Sequence, residues 1–329
     1  MLENMSSQQI YLGVDLSSRH IRVGTIDAEG RLLSFKRMPH QLSRSSDGNG
    51  RALADKLLSI IKTNLAEQNA PVSGIGVGFP GLVNCATHRV VHLPNAANVG
   101  DIDLYQEFVN EFQLPIVFEN NTNAATIAEM KLGAAQDVND WMLVRIGYGV
   151  GAGLVLDGKL RRGKSGFAGE IGHLNIDAEG LDCACGSHGC LETICSAPNI
   201  VRRTRARLER DKTSSLSDFE NRDEDFTYDD IVKAAQNGDE LALLMMQRTG
   251  HFIGMAVADM INVLNLSSVV IGGNSAARPL LVPAIIEEAQ RRSFPDSFAD
   301  CEILPAKLAS EAGVIGAALL AQEQAEQTS

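Results

Sequence analysis

Six residues between positions 170 and 192 offer the clearest chemistry in this 329-residue sequence: Glu170, His173, Cys183, Cys185, Cys190 and Glu192. The spacing His173-x9-Cys183-x-Cys185-x4-Cys190 supplies one imidazole and three thiols. Deprotonated, they make a closed tetrahedral donor set of the kind zinc uses in structural sites. No ligand position is left for water, so the expected metal is structural, not catalytic. Cys183 and Cys185 are too close to form an easy disulfide with each other, and Gly186 and Gly189 supply the tight backbone such a loop needs. Cys195 lies five residues past Cys190, where a helix should already have begun, and is a spare candidate ligand. Cys85 and Cys301 read as small packing residues.

The carboxylates flank this loop. Glu170 precedes His173 by three residues and Glu192 follows Cys190 by two. A loop closed on a metal would bring both toward one point. Two carboxylates and an imidazole there suit the vicinal hydroxyls of a sugar, with one ring nitrogen of His173 on the metal and the other donating N–H to the ligand. A second polar cluster, Glu119-Asn120-Asn121-Thr122-Asn123, stands where a strand should end and a helix begin. Its amides and its hydroxyl fit helix N-caps.

The elements that must position these groups alternate strand and helix. Ile10–Leu16, Ile21–Ile26 and Arg31–Phe35 read as a β-meander, 52–65 as an amphipathic helix, and 74–79 as a buried strand. Strand 116–118 leads into a helix over 123–132. A second strand–turn–strand at 141–156 carries Gly147, Gly149, Gly151 and Gly153; helices follow at 228–237 and 240–264, a strand at 268–271, and a last helix at 311–322. The polar stretch 212–225 reads as an exposed loop. The chain thus opens a strand–turn–strand twice, a weak internal duplication that suggests two similar α/β lobes with a cleft between them.

Composition narrows the partners. Net charge is −12, with 29 Lys plus Arg against 41 Asp plus Glu, a poor match to phosphate backbones or anionic membranes. No apolar run approaches the roughly 20 residues of a membrane span. The first nine residues show no secretory pattern, and the expected location is the cytoplasm, where thiols stay reduced.

These motifs resemble the ROK family (repressors, open reading frames and sugar kinases). The resemblance rests on Gly169-Glu170-Ile171-Gly172-His173, Cys183-Ala184-Cys185-Gly186 and Gly189-Cys190-Leu191-Glu192, and extends to Gly76–Asn84, Leu160–Gly163, Gly166–Gly169, Ile261–Gly273 and Ala312–Ala318. It implies an α/β fold of two actin-like, ribonuclease-H-like lobes with a hexose in the cleft. It also implies ATP- and Mg²⁺-dependent transfer to the 6-hydroxyl in those members that are kinases. Gly81, Asn120, Glu170, His173 and Glu192 occupy the sugar positions, and His173, Cys183, Cys185 and Cys190 the zinc positions. The domain expectation is a small lobe over 1–118, with a helix over 309–323 returning to it, and a large lobe over 119–308.

The nucleotide side departs from the family pattern. Asn121 stands where family kinases place the Asp that takes the proton from the attacking hydroxyl, and an amide accepts no proton at neutral pH. The first phosphate loop, usually Asp-x-Gly-Gly-Thr-Lys, is Asp15-Leu16-Ser17-Ser18-Arg19-His20. The second, usually Gly-Thr-Gly, is Gly147-Tyr148-Gly149, and the glycine usual after Gly272-Gly273 is Asn274. The expected function is therefore binding or sensing of glucose or an N-acetylhexosamine, with phosphoryl transfer lost or much weakened. The alternative is an active ROK hexokinase. About nine residues precede the first strand, too few for a helix-turn-helix, so direct nucleic-acid binding is not expected; the basic stretch 202–210 reads as a solvated helix face. If the chain serves a repressor, it does so as an effector domain or through a partner. The resemblance further suggests a homodimer or a dimer of dimers.

Overall fold

Glycine lets the last helix lie flush on the first sheet. A Cβ at Gly76 would stand 1.8 Å from the Ala317 carbonyl oxygen, and one at Gly13 2.0 Å from that of Val314. Small residues along Gly313, Gly316, Ala317 and Ala321 complete the approach from the helix side. This contact explains how the C-terminus joins the N-terminal part of the chain.

The computed structural model describes residues 9–40, 49–93, 102–221 and 224–328. It divides into two units: 1–136 with 160–168 and 311–329, and 137–159 with 169–310. The first contains β1 (Ile10–Leu16), β2 (His20–Asp27), β3 (Leu32–Pro39), α1 (Asn49–Ala66), β4 (Val72–Phe79), the small hairpin β5 (Leu82–Asn84) and β6 (Arg89–His92), α2 (Leu104–Phe112), β7 (Ile116–Asn120) and α3 (Asn121–Leu132). Its sheet has the order β3-β2-β1-β4-β7, antiparallel across the meander and parallel from β1 onward.

The second unit contains β8 (Trp141–Ile146), β9 (Val150–Leu156) and β10 (Lys159–Leu160). Helices α4 (Glu192–Cys195), α5 (Ala197–Leu208), α6 (Ser217–Asn221), α7 (Tyr228–Gln236) and α8 (Glu240–Leu264) follow, then β11 (Ser268–Gly273), α9 (Arg278–Arg292), α10 (Pro295–Ala299) and β12 (Glu302–Pro305). Its sheet order is β10-β9-β8-β11-β12, again antiparallel then parallel. The two sheets repeat one topology, so the duplication glimpsed in the strand–turn–strand pattern is a repeat of the whole α/β motif. Helix α11 (Ala312–Thr328) belongs to the first unit.

Each unit has its own apolar core. In the first it gathers Leu12, Val14, Leu57, Ile61, Ile75 and Phe118; in the second Val144, Ile146, Ile200, Ile253, Val257 and Ile271. The unit boundary differs from the one drawn after residue 118. Residues 119–136 cluster with the first unit because α3 packs on α11, where a Cβ at Gly316 would stand 1.6 Å from the Ala124 carbonyl oxygen. Residues 160–168 also join it; Gly166 (φ +92) lies so close to β5 that a Cβ would meet the Val83 carbonyl oxygen at 2.3 Å. The polar stretch 212–225 is not all loop, since α6 forms within it. Among the described residues, no helix is long and apolar enough to cross a membrane.

Candidate functional site

In the second unit, the loop between residues 174 and 191 is folded by its own backbone. Cys183 N–H donates to the Ser187 carbonyl (2.7 Å), Gly186 N–H to Cys183 (3.0 Å), and Ile176 N–H to Gly189 (2.9 Å). Gly189 has φ +66, and a Cβ there would lie 1.7 Å from the Asp177 carbonyl oxygen, so the loop closes only on glycine.

This closure gathers His173, Cys183, Cys185 and Cys190, whose donor atoms all lie within 4.8 Å of one another. Cys185 Sγ and Cys190 Sγ are 3.7 Å apart, and Cys183 Sγ is 3.6 Å from His173 Nδ1. A tetrahedron built on metal–sulfur bonds of about 2.3 Å has edges of about 3.8 Å. The four donors therefore fit a tetrahedral ion in number, softness and spacing. Without a cation, burial pushes the Cys190 thiol up to about 12, whereas the Ser187 backbone N–H pulls Cys185 down. Cys195 stands apart: it is buried, its Sγ directed at the Thr249 carbonyl oxygen (3.8 Å).

His173 ends a single 3₁₀ turn, Ile171–His173, that follows Glu170. Its Nδ1 faces the thiols and its Nε2 lies 3.7 Å from Glu170 Oε2. Burial raises the Glu170 pKa; His173 opposes the rise and Glu192 adds to it. A cavity of about 210 Å³, lined by Met142, Ala152, Leu154, Leu174, Met260 and residues 169–171, supplies apolar surroundings along the same loop. Glu192 opens α4, and its Oε2 accepts the Val150 N–H at 2.8 Å. The turn Gly147-Tyr148-Gly149 is closed by Gly147 N–H on the Gly149 carbonyl (2.9 Å) and held from outside by Ala197 N–H on the Gly147 carbonyl (2.8 Å). Tyr148 is exposed. At the end of β11, Gly272 and Gly273 lead into Asn274, whose Nδ2 donates to Asp229 Oδ1 (2.8 Å) and ties this turn to α7.

In the first unit, Asn120 caps α3. Its Oδ1 accepts from Thr122 N–H (2.8 Å) and Asn123 N–H (3.1 Å), and its Nδ2 donates to the Gly81 carbonyl (2.8 Å). Of the five residues 119–123, Asn120 is the N-cap, and its amide also joins the two first-unit positions Gly81 and Asn120. Asn121 is buried, its Nδ2 donating to the Leu16 carbonyl (2.8 Å) at the end of β1. Asp15 is fully buried, pairs with Arg22 across the β1–β2 ladder (3.0 Å), and lies under α11, where a Cβ at Gly313 would meet its carboxyl at 2.6 Å. The β1–β2 turn is stitched by its own side chain: Ser17 Oγ donates to the His20 carbonyl (3.0 Å) and accepts the His20 N–H (3.1 Å). Ser18 sits within that turn.

Sequence reasoning assigned no role to Glu119 and took Cys85 for packing. Glu119 is a buried hub. Its Oε1 accepts from Asn120 N–H (2.9 Å), Asn123 Nδ2 (3.0 Å) and the Cys85 thiol (3.3 Å), and its Oε2 from Arg162 Nε (2.6 Å). Cys85 is half-buried, and its thiol is raised to about 12 by burial and by this carboxylate. An acid at the end of the apolar strand 116–119 was the available signal, because a buried carboxylate needs paired donors. Cys301 is buried in the second core, as a packing residue. Epimers and 2-acetamido sugars are expected to be told apart by contacts in loops such as 81–101, of which residues 94–101 lie outside the described residues.

Comparison with known proteins gives one consistent kinship. The family model described as "ROK family" matches residues 11–324. A glucokinase of Halalkalibacterium halodurans is 31% identical over 325 residues, covering 97% of this chain and 96% of its own. A xylose repressor of Bacillus spizizenii is 28% identical, covering 93% of this chain and 75% of its own. Among solved structures, a ROK family glucokinase from Streptomyces griseus, in complex with glucose and AMPPNP, superposes with a TM-score of 0.84 at 27% identity, covering 95% of this chain and 99% of that one. A ROK family transcriptional regulator, a homologue of the E. coli MLC protein, gives a TM-score of 0.84 at 31% identity and covers 97% of this chain and 79% of that one.

Proposed function

The chain belongs to the ROK family, with the actin-like fold of its sugar kinases, and from that premise we propose that it binds a hexose, glucose or an N-acetylhexosamine, with phosphoryl transfer lost or much weakened. The observation that carries the proposal is the treatment of two carboxylate positions. Asn121 has an amide where the family's base stands, and that amide is engaged as a donor to the Leu16 carbonyl. Asp15, the remaining acid of the first phosphate loop, is fully buried against Arg22 and Gly313. Ser17, closing on His20, occupies the turn where glycine backbone would cradle phosphate. Loss of a general base alone costs roughly 10²–10⁴-fold in rate.

The hexose half is proposed on chemistry that is kept. In the second unit Glu170, His173 and Glu192 offer two acceptors and a donor for vicinal hydroxyls; in the first, Gly81 and Asn120 keep the residues of the family's sugar positions. His173, Cys183, Cys185 and Cys190 would hold zinc. When bound, the ion would fix the loop and leave His173 Nδ1 engaged, so that Nε2–H points toward Glu170 and the ligand. The protein is proposed to work in the cytoplasm as a homodimer, without contacting nucleic acid itself, either as a free sugar sensor or as the effector partner of a DNA-binding protein.

A second reading, an active glucokinase or N-acetylhexosamine kinase, is favoured by the nearly full-length likeness to the H. halodurans glucokinase. Thermal shift across a panel of hexoses, run beside a coupled ADP-release assay, separates the two. Sugar-dependent stabilisation without ADP supports the sensor; ADP release in proportion to sugar supports the kinase.

A further inference from the structure

We propose that Gly149 is a positioning residue for the sugar-binding carboxylate Glu192, so that the second Gly-x-Gly turn serves the sugar side of the protein. The proposal rests on the hexose reading given above and assigns that turn a role within it.

The geometry is specific to one side chain. A Cβ built on Gly149 would lie 2.5 Å from Glu192 Oε2, 3.4 Å from its Cδ and 4.0 Å from Oε1, and these are its three nearest atoms. The backbone at Gly149 is not in the left-handed region, so alanine is opposed by the carboxylate and not by its own φ. The same Oε2 accepts the Val150 N–H at 2.8 Å. Glu192 therefore rests in the notch left by the missing side chain and is fixed there by the next residue's amide. The segment that carries it is fastened to the same turn by Ala197 N–H on the Gly147 carbonyl (2.8 Å) and steadied by Asn199 Nδ2 on the Glu192 carbonyl (3.0 Å). Gly147 differs: a Cβ there meets nothing within 4 Å. Of the two turn glycines, only Gly149 is required by Glu192.

The consequence is a separable defect. Glu192 is the end of a flexible side chain, so an alanine at 149 is accommodated by moving the carboxylate, not the backbone. That movement breaks the Val150 bond and withdraws the acceptor from a sugar hydroxyl, while the fold persists. Gly147→Ala, which displaces nothing, is the control.

The test is a double-mutant cycle read by two methods. Amide exchange at Val150, measured without ligand, should accelerate at least tenfold in Gly149→Ala and in Glu192→Ala and stay slow in Gly147→Ala. Titration calorimetry with D-glucose and N-acetyl-D-glucosamine should show affinity reduced at least tenfold in Gly149→Ala and in Glu192→Ala. The double variant should be no weaker than Glu192→Ala alone, because both changes remove one interaction. Unchanged Val150 exchange in Gly149→Ala overturns the geometry. Losses that add in the double variant, or full affinity in Gly149→Ala beside a weakened Glu192→Ala, overturn the positioning role while leaving the hexose reading intact. Full affinity in Glu192→Ala overturns the hexose reading at this carboxylate, and the positioning role with it.

Discussion

Replacing Asn121 by Asp changes one atom's chemistry at a buried position. The amide Nδ2 donates to the Leu16 carbonyl at 2.8 Å, and an ionised carboxylate would set an oxygen against that oxygen. Leaving a buried polar group without its partner costs about 1–3 kcal/mol. At roughly 2–4 °C per kcal/mol for a unit of this size, the midpoint loss is taken as roughly 4–8 °C for about 2 kcal/mol. The sign of the pH dependence follows. Burial and the carbonyl disfavour the charged form, so the folded pKa of the new acid lies above its unfolded value of about 3.9. Below that value both states are protonated, and the acid can donate to Leu16 as the amide did. As pH rises through it, the unfolded chain ionises first and stability is lost. Thermal unfolding should therefore show a near-native midpoint at pH 4 and the full deficit at pH 7.5. The same substitution restores a group able to accept a proton, so ADP release at saturating ATP, Mg²⁺ and hexose should rise at least tenfold. An undiminished midpoint at pH 7.5 would refute the reasoning, because the amide would then not be the tie between α3 and β1. An unchanged ADP rate would place the block at Asp15 and Ser17 instead.

Metal analysis should find about one zinc per chain, and Cys185→Ser should lower both zinc content and thermal midpoint, since structural sites contribute folding free energy; protein purified without chelator and free of zinc contradicts this. Glu170→Ala should weaken hexose binding by at least tenfold with zinc content unchanged, the loss of a charge-assisted bond worth about 1.5–3 kcal/mol; calorimetry showing equal affinity rules it out. Asp239 caps α8; burial works against its charge, but bonds from Ala242 N–H and from Ser214 and Ser215 win and hold its carboxyl below the usual range. That stability is present above pH 4 and lost as pH falls through the depressed value, so Asp239→Asn, which keeps a capping oxygen but exchanges charge-assisted bonds for neutral ones, should lower the midpoint at pH 7 by about 1 kcal/mol of stability, and progressively less toward pH 3. A deficit independent of pH would show that the charge is not the stabilising feature.

Periodicity made the elements legible, and tertiary contact did not announce itself in the same way. Strands β1, β2, β4, β8 and β11 stand where apolar runs placed them, because strands buried in a sheet need little but continuous apolar character. The boundary between units was missed because α3 follows β7 in sequence with nothing to mark that its partner is α11, some 190 residues away. The metal loop was legible since its spacing is itself the chemistry. Glu119, Cys85 and Arg162 were not, since three residues 34 to 77 positions apart share no pattern until the chain has folded. The Asp15–Arg22 pair is of the same kind: only the register of β1 on β2 sets those two side by side. The resemblance places Gly149 in the second phosphate loop, whereas in the structure its missing side chain leaves the room that Glu192 Oε2 fills.

The central claim, hexose binding without effective phosphoryl transfer, is tested most directly by the steady-state rate of ADP release from the wild-type chain. The measurement uses saturating ATP and Mg²⁺ with a hexose already shown by thermal shift to bind. The account predicts hexose-dependent stabilisation with turnover at least 10²-fold below the 1–100 s⁻¹ typical of kinases. A rate within that range, with Asn121 in place, would contradict it and require another group to act as the base.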